Sequence, residues 1–481
     1  TLRVGLDINV QWSREHTLTL GQPVTLMHLD YAGGSSHTDG SFYHRLSFTT
    51  NTAKLAVLGD LLLARWGDHT NRTFRAMGGE IELYGNLIAG PGADGGTTRI
   101  VVRGDGDQTY SSAATGLRSY AREHTGNAYL PCLRVEKSGG ALVPAAAATN
   151  LTVTEFQLAA GAFTAPPGVF AVVKDSRALP GENNSMYGYN FFTFTNGVYH
   201  HNNGTLRLAN YITDAATREY LFNLKRPLTL HHLDYAGGND HATASVAYTL
   251  APADGGDLAV TGDFVLERWG GSGNRTFRAK GGTIRAQGDV SIGPGAAGGT
   301  TAVLLDGGRD QTIAQRGGTP PQGHWTLAKT GGAAILATGL ALSGTDQDLL
   351  WQGGTLDLSS NTLSVGRNVE ISPGAATFGV LVADAATAGR LEAAGRASGI
   401  GNAGLNVTVA AALKTSLPGA SYTILGNSAA LGAVFASETW SPQPPSAAVW
   451  DGKADYTANG GKSVVIHGII RKMPGSVLLL R

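Results

Sequence analysis

The heptapeptide HLDYAGG, with His28 and Asp30, returns with His232 and Asp234. A histidine two residues from an aspartate carries the groups of a general acid, a general base or a metal ligand. The repetition argues for a plainer role. One chain rarely needs an active site twice, whereas it does need a corner twice, and Asp followed by Gly-Gly is turn chemistry. Asp30, Gly33, Gly34, Asp234, Gly237 and Gly238 are therefore read as structural turn residues. A calcium ion at such a turn is the one cofactor the pattern admits, and no nonapeptide run of calcium ligands accompanies it. GPGADG at Gly90–Gly95 fits G-x-G-x-x-G. A phosphate cradle needs a helix after the glycines, but GTTRIVVRG reads as strand, so this motif and its twin at Gly293–Gly298 are expected to be tight turns. His200 and His201 are adjacent, and neighbours on a strand point to opposite faces, which makes them a poor ligand pair. The chain has no G-x-S-x-G, H-E-x-x-H or C-x-x-C, so no catalytic site is expected.

The remaining candidates are contact residues. Trp66 and Trp269 end ARWG and ERWG. An exposed Trp stacks on sugars or anchors an interface, and a buried one caps a core; the capping role is preferred here. In NRTFRA, Phe74 and Phe277 should point inward, with Arg72, Arg75, Arg275 and Arg278 pointing out. Two stretches occur once only. Tyr110–Cys132 contains Tyr120 and Arg122, and Ala178–Gly204 contains Tyr187, Tyr189 and Phe191. Together with an N-terminal strand around Leu2, Val4, Leu6 and Ile8 and the tail Ser441–Arg481, these are the candidate assembly surfaces. The tail ends in SVLLLR, where Val477, Leu478, Leu479 and Leu480 are apolar enough to seek a dock.

The elements that hold these residues are repeated. TLRVG at Thr1 matches TLRLA at Thr205, and LAVLGDLLLARWG at Leu55 matches LAVTGDFVLERWG at Leu258. GPGADGGTT at Gly90 matches GPGAAGGTT at Gly293, and DQT recurs at Asp107 and Asp310. VEKSGG at Val135 matches LAKTGG at Leu327, so about eleven extra residues lie between Thr109 and Val135 in the first copy. Within each copy, short runs recur every 20 to 26 residues or so, as at Leu258–Leu266, Thr283–Ile292, Ala302–Leu305, Leu340–Ser343 and Thr362–Ile371. Turn residues follow each run. In GTLDLSSNTLSVGRNVEIS the apolar residues alternate with polar ones, the period of a half-buried strand. The one helix expected is a short one near Leu391–Ala397.

Glycine accounts for 68 of 481 residues and charged residues for only 15%, a composition of short strands and tight turns. An all-β fold follows. Strands at this spacing without helices between them suit a parallel β-helix, or β-solenoid, built from two homologous halves; tandem β-sandwiches are the alternative. The expected organisation is one repeat over 1–204, a second over 205–400, and a C-terminal β-rich cap over 401–481.

The run KSGG followed by the alternating GTLDLSSNTLSVG pattern resembles large bacterial surface proteins of the filamentous-haemagglutinin-like and autotransporter-associated β-strand repeat classes. DGGRDQTI at Asp306–Ile313, SLPGASYTILGNSAALGAVF and DYTANGGKSVVIHGI are similar to segments of those proteins. The resemblance implies secretion, a right-handed parallel β-helix, and a structural or adhesive role at the cell surface.

Lys plus Arg and Asp plus Glu are each 36, so there is no basic footprint for nucleic acid and little repulsion between copies. No apolar run is long enough to span a membrane as a helix. The single cysteine, Cys132, excludes an intrachain disulfide. The expected protein is an extracellular structural or adhesive one whose partner is itself, in a filament or layer, with surface polysaccharide as a second partner. The alternative is a β-helix that binds or degrades polysaccharide, such as a lyase, hydrolase or phage tailspike.

Overall fold

A computed structural model describes residues 1–4, 14–31, 41–64, 73–113, 128–175, 190–211, 218–237, 246–252, 257–268, 275–374, 376–384, 386–410, 420–441 and 450–468. Strands make up 61% of the chain and helix 2%, with a large parallel sheet, so the all-β expectation holds. The helix expected near Leu391–Ala397 is absent. Arg390–Ala393 and Ala397–Ser398 are strands, because Leu391 and Ala393 alternate inward with period two rather than forming a helical stripe.

The chain divides into two compact units, Thr1–Thr283 with Gly293–Ala297, and Ile284–Ile292 with Gly298–Arg481. In the first unit, strands from successive repeats pair in parallel and place like on like. One ladder runs Leu2, Leu29, Leu61, Leu87, Tyr110. Another runs Val24, Leu55, Ile81, Ile100, Leu133, Phe156, Phe192, Phe222. A third joins Arg14–Leu20, Ser41–Phe48, Thr73–Met77 and Ala93–Gly96. The pairing runs on through residue 204 without a break, since Phe170, Leu206, Leu233 and Phe264 form one ladder.

The second of these ladders turns from aliphatic to aromatic along its length. Phe156, Phe192 and Phe222 stack at 5.3 and 4.5 Å between ring centroids, distances at which aromatic pairs add to simple burial. In-register pairing forces this, because each ring sits on its counterpart one strand spacing away.

In the second unit, Leu340, Leu363, Leu391 and Leu425 form a ladder, as do Leu356, Phe378 and Leu405. The C-terminal strands change direction. Ser463–Gly468 pairs antiparallel with both Ser421–Gly426 and Trp450–Asp455. Sandwiches are built from antiparallel neighbours, and here such neighbours are grouped at the C-terminal end.

Candidate functional site

The repeated histidines each perform one defined task. His28 Nδ1 accepts the backbone N–H of Asp60 at 2.9 Å, Asp60 Oδ1 accepts that of Asn86 at 3.0 Å, and Asn86 Oδ1 accepts that of Thr109 at 2.8 Å. The second copy starts the same way, with His232 Nδ1 accepting from Asp263 N–H at 2.8 Å. His324, Asp348 and Asn368 repeat the whole series, ending on the N–H of Arg396. Each side chain satisfies a corner amide of the next rung that the strand ladder leaves over. An Nδ1 that accepts carries no proton, so the neutral ring is protonated on Nε2 and keeps no lone pair for a metal. His201 is tied in the same way, through Asn203 N–H at 3.0 Å. No group of three or more His, Cys, Asp or Glu residues among the described residues could hold a metal ion.

Asp30 and Asp234 lie in strands Leu29–Tyr31 and His232–Gly237, which corrects their reading as turn residues. Each is the cross-strand partner of an arginine one rung earlier. Arg3 Nε donates to Asp30 Oδ2 at 2.6 Å and Arg207 Nε to Asp234 Oδ2 at 2.8 Å. Gly237 closes its strand. Gly33, Gly34, Gly238, Trp66 and Trp269 lie outside the described residues, as do Leu6, Ile8, Tyr120, Arg122, Tyr187, Tyr189, Val477, Leu478, Leu479 and Leu480.

The contact residues that are described divide. Leu2 is exposed and Val4 half-buried on strand Leu2–Val4. Phe191 is buried, so it belongs to the interior and not to an interface. The two ends of the Tyr110–Cys132 stretch are interior as well. Tyr110 is buried and donates its hydroxyl to Thr164 O at 3.0 Å, and Cys132 is a buried free thiol.

The two GPGA motifs are turns, as expected. Gly92, Gly95 and Gly96 and their counterparts Gly295, Gly298 and Gly299 all have positive φ. A Cβ on Gly96 would stand 1.9 Å from Ala76 O. Strands Arg99–Val102 and Ala302–Leu305 follow them, leaving no helix N-terminus to cradle a phosphate. Phe74 and Phe277 are buried, as expected. Arg75 is not outward-facing. It is buried, and its Nε and Nη2 donate to Asp94 Oδ2 at 2.9 and 2.8 Å.

Sequence reasoning missed a duplicated buried amine. Lys137 Nζ donates to Gln108 Oε1, and Lys329 Nζ donates to Arg309 O at 2.8 Å and to Gln311 Oε1 at 3.5 Å. Burial pushes both ammonium groups below the usual lysine range, against nearby aspartates that act the other way. The available signal was the DQT and K-S/T-G-G pairing present in both copies.

Two open polar grooves lie in the second unit. One groove of about 580 Å³ is lined by Ser343, Ser364, Arg390, Glu392, Asn427 and Ser463 among others. A second, of about 540 Å³, is lined by Thr300, Gln322, His324 and Asp346 and shares Ser343 with the first. Its charges are few. Arg390 is ion-paired with Glu392, and the Asp348 carboxyl behind the second groove is held below the usual carboxylate range, first by hydrogen bonds from Arg367. The lining offers hydroxyls and amides for hydrogen bonding. The chain matches no protein-family model, no curated protein and no solved structure.

Proposed function

We propose that the chain is part of an extracellular structural or adhesive protein, coiled as a right-handed parallel β-helix and self-assembling through strand edges. The observation that carries this reading is the in-register parallel pairing of successive strands, with residues in the first coils stacked on partners 26 to 32 residues on. A chain that stacks on its own repeats this way presents an edge to which the next copy can add. Leu2–Val4, Arg14–Leu20 and Val24–Leu26 each pair with one neighbour among the described strands. A strand edge offers amides and carbonyls that an incoming strand satisfies whatever its side chains. Contacts of this heterologous kind do not close on themselves and so propagate. The resemblance to bacterial surface repeat proteins and the balanced charge point the same way.

Electron microscopy of purified protein at high concentration tests this. Filaments or sheets are expected, and they should be lost when Ser476–Arg481 is deleted while the circular dichroism of the strands is kept. Monodisperse particles from the intact chain would refute it.

A further inference from the structure

We infer that the paired grooves of the second unit bind an extended, uncharged polysaccharide. This deepens the adhesive side of the proposed function, and binding and assembly are measured separately below.

The floor of the first groove is a single cross-strand row. Ala341 pairs with Ser364, Ser364 with Glu392, Glu392 with Gly426, and Gly426 with Ser463. Alternation puts these residues on one face, while Leu363, Leu391, Leu425 and Val464 are buried on the other. At ordinary strand spacing the row is about 19 Å long. Small residues keep it low enough for a chain to lie along it. Ser364 and Glu392 rise from adjacent strands and Ser463 stands two strands further on, beyond Gly426, so polar groups are offered along the row to a ligand rich in hydroxyls.

The hydroxyls are free to bind. Those of Ser343 and Ser364 make no side-chain hydrogen bond. Ser463 is only 8% exposed, yet its Oγ has no side-chain partner and is not sealed in the interior. A residue so buried that keeps its hydroxyl accessible at a groove is positioned for a ligand that donates and accepts. Arg390 and Glu392 neutralise one another and still offer N–H donors and a carboxylate acceptor to adjacent hydroxyls. The second groove continues the same chemistry from Ser343 to Gln322, His324 and Thr300. Its acidic lining residue, Asp346, is paired with Arg367 at 3.6 Å, so the groove offers no surplus positive charge to an anionic chain.

No aromatic side chain lines either groove, so stacking does not contribute and each site is weak. A dissociation constant on the order of 1 mM is expected for one site. Many copies in one assembly would convert this to firm attachment.

Isothermal titration calorimetry with three probes decides the question: a β-linked glucose hexamer, an α-linked glucose hexamer and a galacturonate hexamer. At least one uncharged hexamer should bind, and more tightly than the galacturonate. Ser364→Trp, which stands in the row, and Ser343→Tyr, which blocks the junction of the two grooves, should each weaken binding at least tenfold. Circular dichroism and melting temperature should stay as in the wild type. Ser343 is solvent-exposed, so that variant remains informative if Ser364→Trp fails to fold. The inference is overturned if neither uncharged hexamer binds, if the galacturonate binds best, or if folded variants bind like the wild type. Microscopy of Ser343→Tyr should show the same assemblies as the wild type, so a failure of this inference is distinct from a failure of the assembly reading.

Discussion

The first repeat copy, Thr1–Thr109, and the second, Thr205–Thr312, share the arginine of NRTFRA, but they use it in opposite ways. Arg75 is buried against Asp94, whereas Arg278 is exposed. One substitution explains the difference. Where the first copy has Asp94 in GPGADGG, the second has Ala297 in GPGAAGG. Without the carboxylate nothing offsets the desolvation of a guanidinium, and the side chain stays in water. A second contrast has no sequence cause. Arg3–Asp30 and Arg207–Asp234 are the same pair, yet the arginine side chains are 70% and 10% exposed. Arg207 is covered by the rung of Ala171 before it, while among the described strands Arg3 pairs only with the rung of Asp30. Identical residues thus take their energetics from the number of rungs around them.

The largest effect expected from this comparison is at Arg75. Arg75→Ala leaves the Asp94 carboxylate buried with its arginine gone and should cost about 3–5 kcal/mol in urea unfolding. Arg278→Ala should stay within about 0.5 kcal/mol. Adding Asp94→Ala to Arg75→Met reproduces the second copy's arrangement and should recover most of the loss. Equal losses at Arg75 and Arg278 would break the comparison.

Next comes a pH effect confined to the first copy. Burial, aided by nearby His16, pushes His44 down to about 4; the second copy has Tyr248 at the matching position. An unfolded histidine titrates near 6.5, so between that pH and about 4 the unfolded chain binds more protons than the folded one. Stability contributed by His44 is therefore complete above pH 6.5 and is lost as the pH falls, by about 3 kcal/mol at most. His44→Phe should flatten that part of the stability profile. If the variant and the wild type show the same acid loss, His44 is not its source.

The smallest effect sharpens the contrast between rungs. Asp234→Ala strands a nearly buried guanidinium and should cost about 2 kcal/mol. Asp30→Ala frees an arginine that is already in water and should cost less than about 1 kcal/mol. Paired denaturation curves give both values, and a reversed order would remove rung position as the cause.

Much of this was legible in the sequence and some was not. The strands at Ala302–Leu305, Leu340–Leu342 and Thr362–Val365 follow from period-two alternation, and the GPGA turns follow from glycines whose twins take the same positive φ. The polar corner series was half-visible as Asp or Asn before each strand. Its hydrogen-bond partners were not, since each lies on the next rung, 23 to 32 residues away. The groove was invisible because Ala341, Ser364, Glu392, Gly426 and Ser463 share no local motif and meet only through strand pairing.

The sequence by itself determined that the chain is all β, where most strands lie, and that one unit was used twice. Those properties are set by neighbours two to thirty residues apart, through alternation and turn chemistry. Only the tertiary structure decided how far identical residues were covered by neighbouring rungs and in what register equivalent strands met. In the first copy Phe42 pairs with Phe74, whereas in the second the same two strands are slipped by two residues and Tyr248 pairs with Phe277. A slip of two keeps every side chain on its face, so the alternating pattern cannot specify it. Packing against the adjoining rungs does.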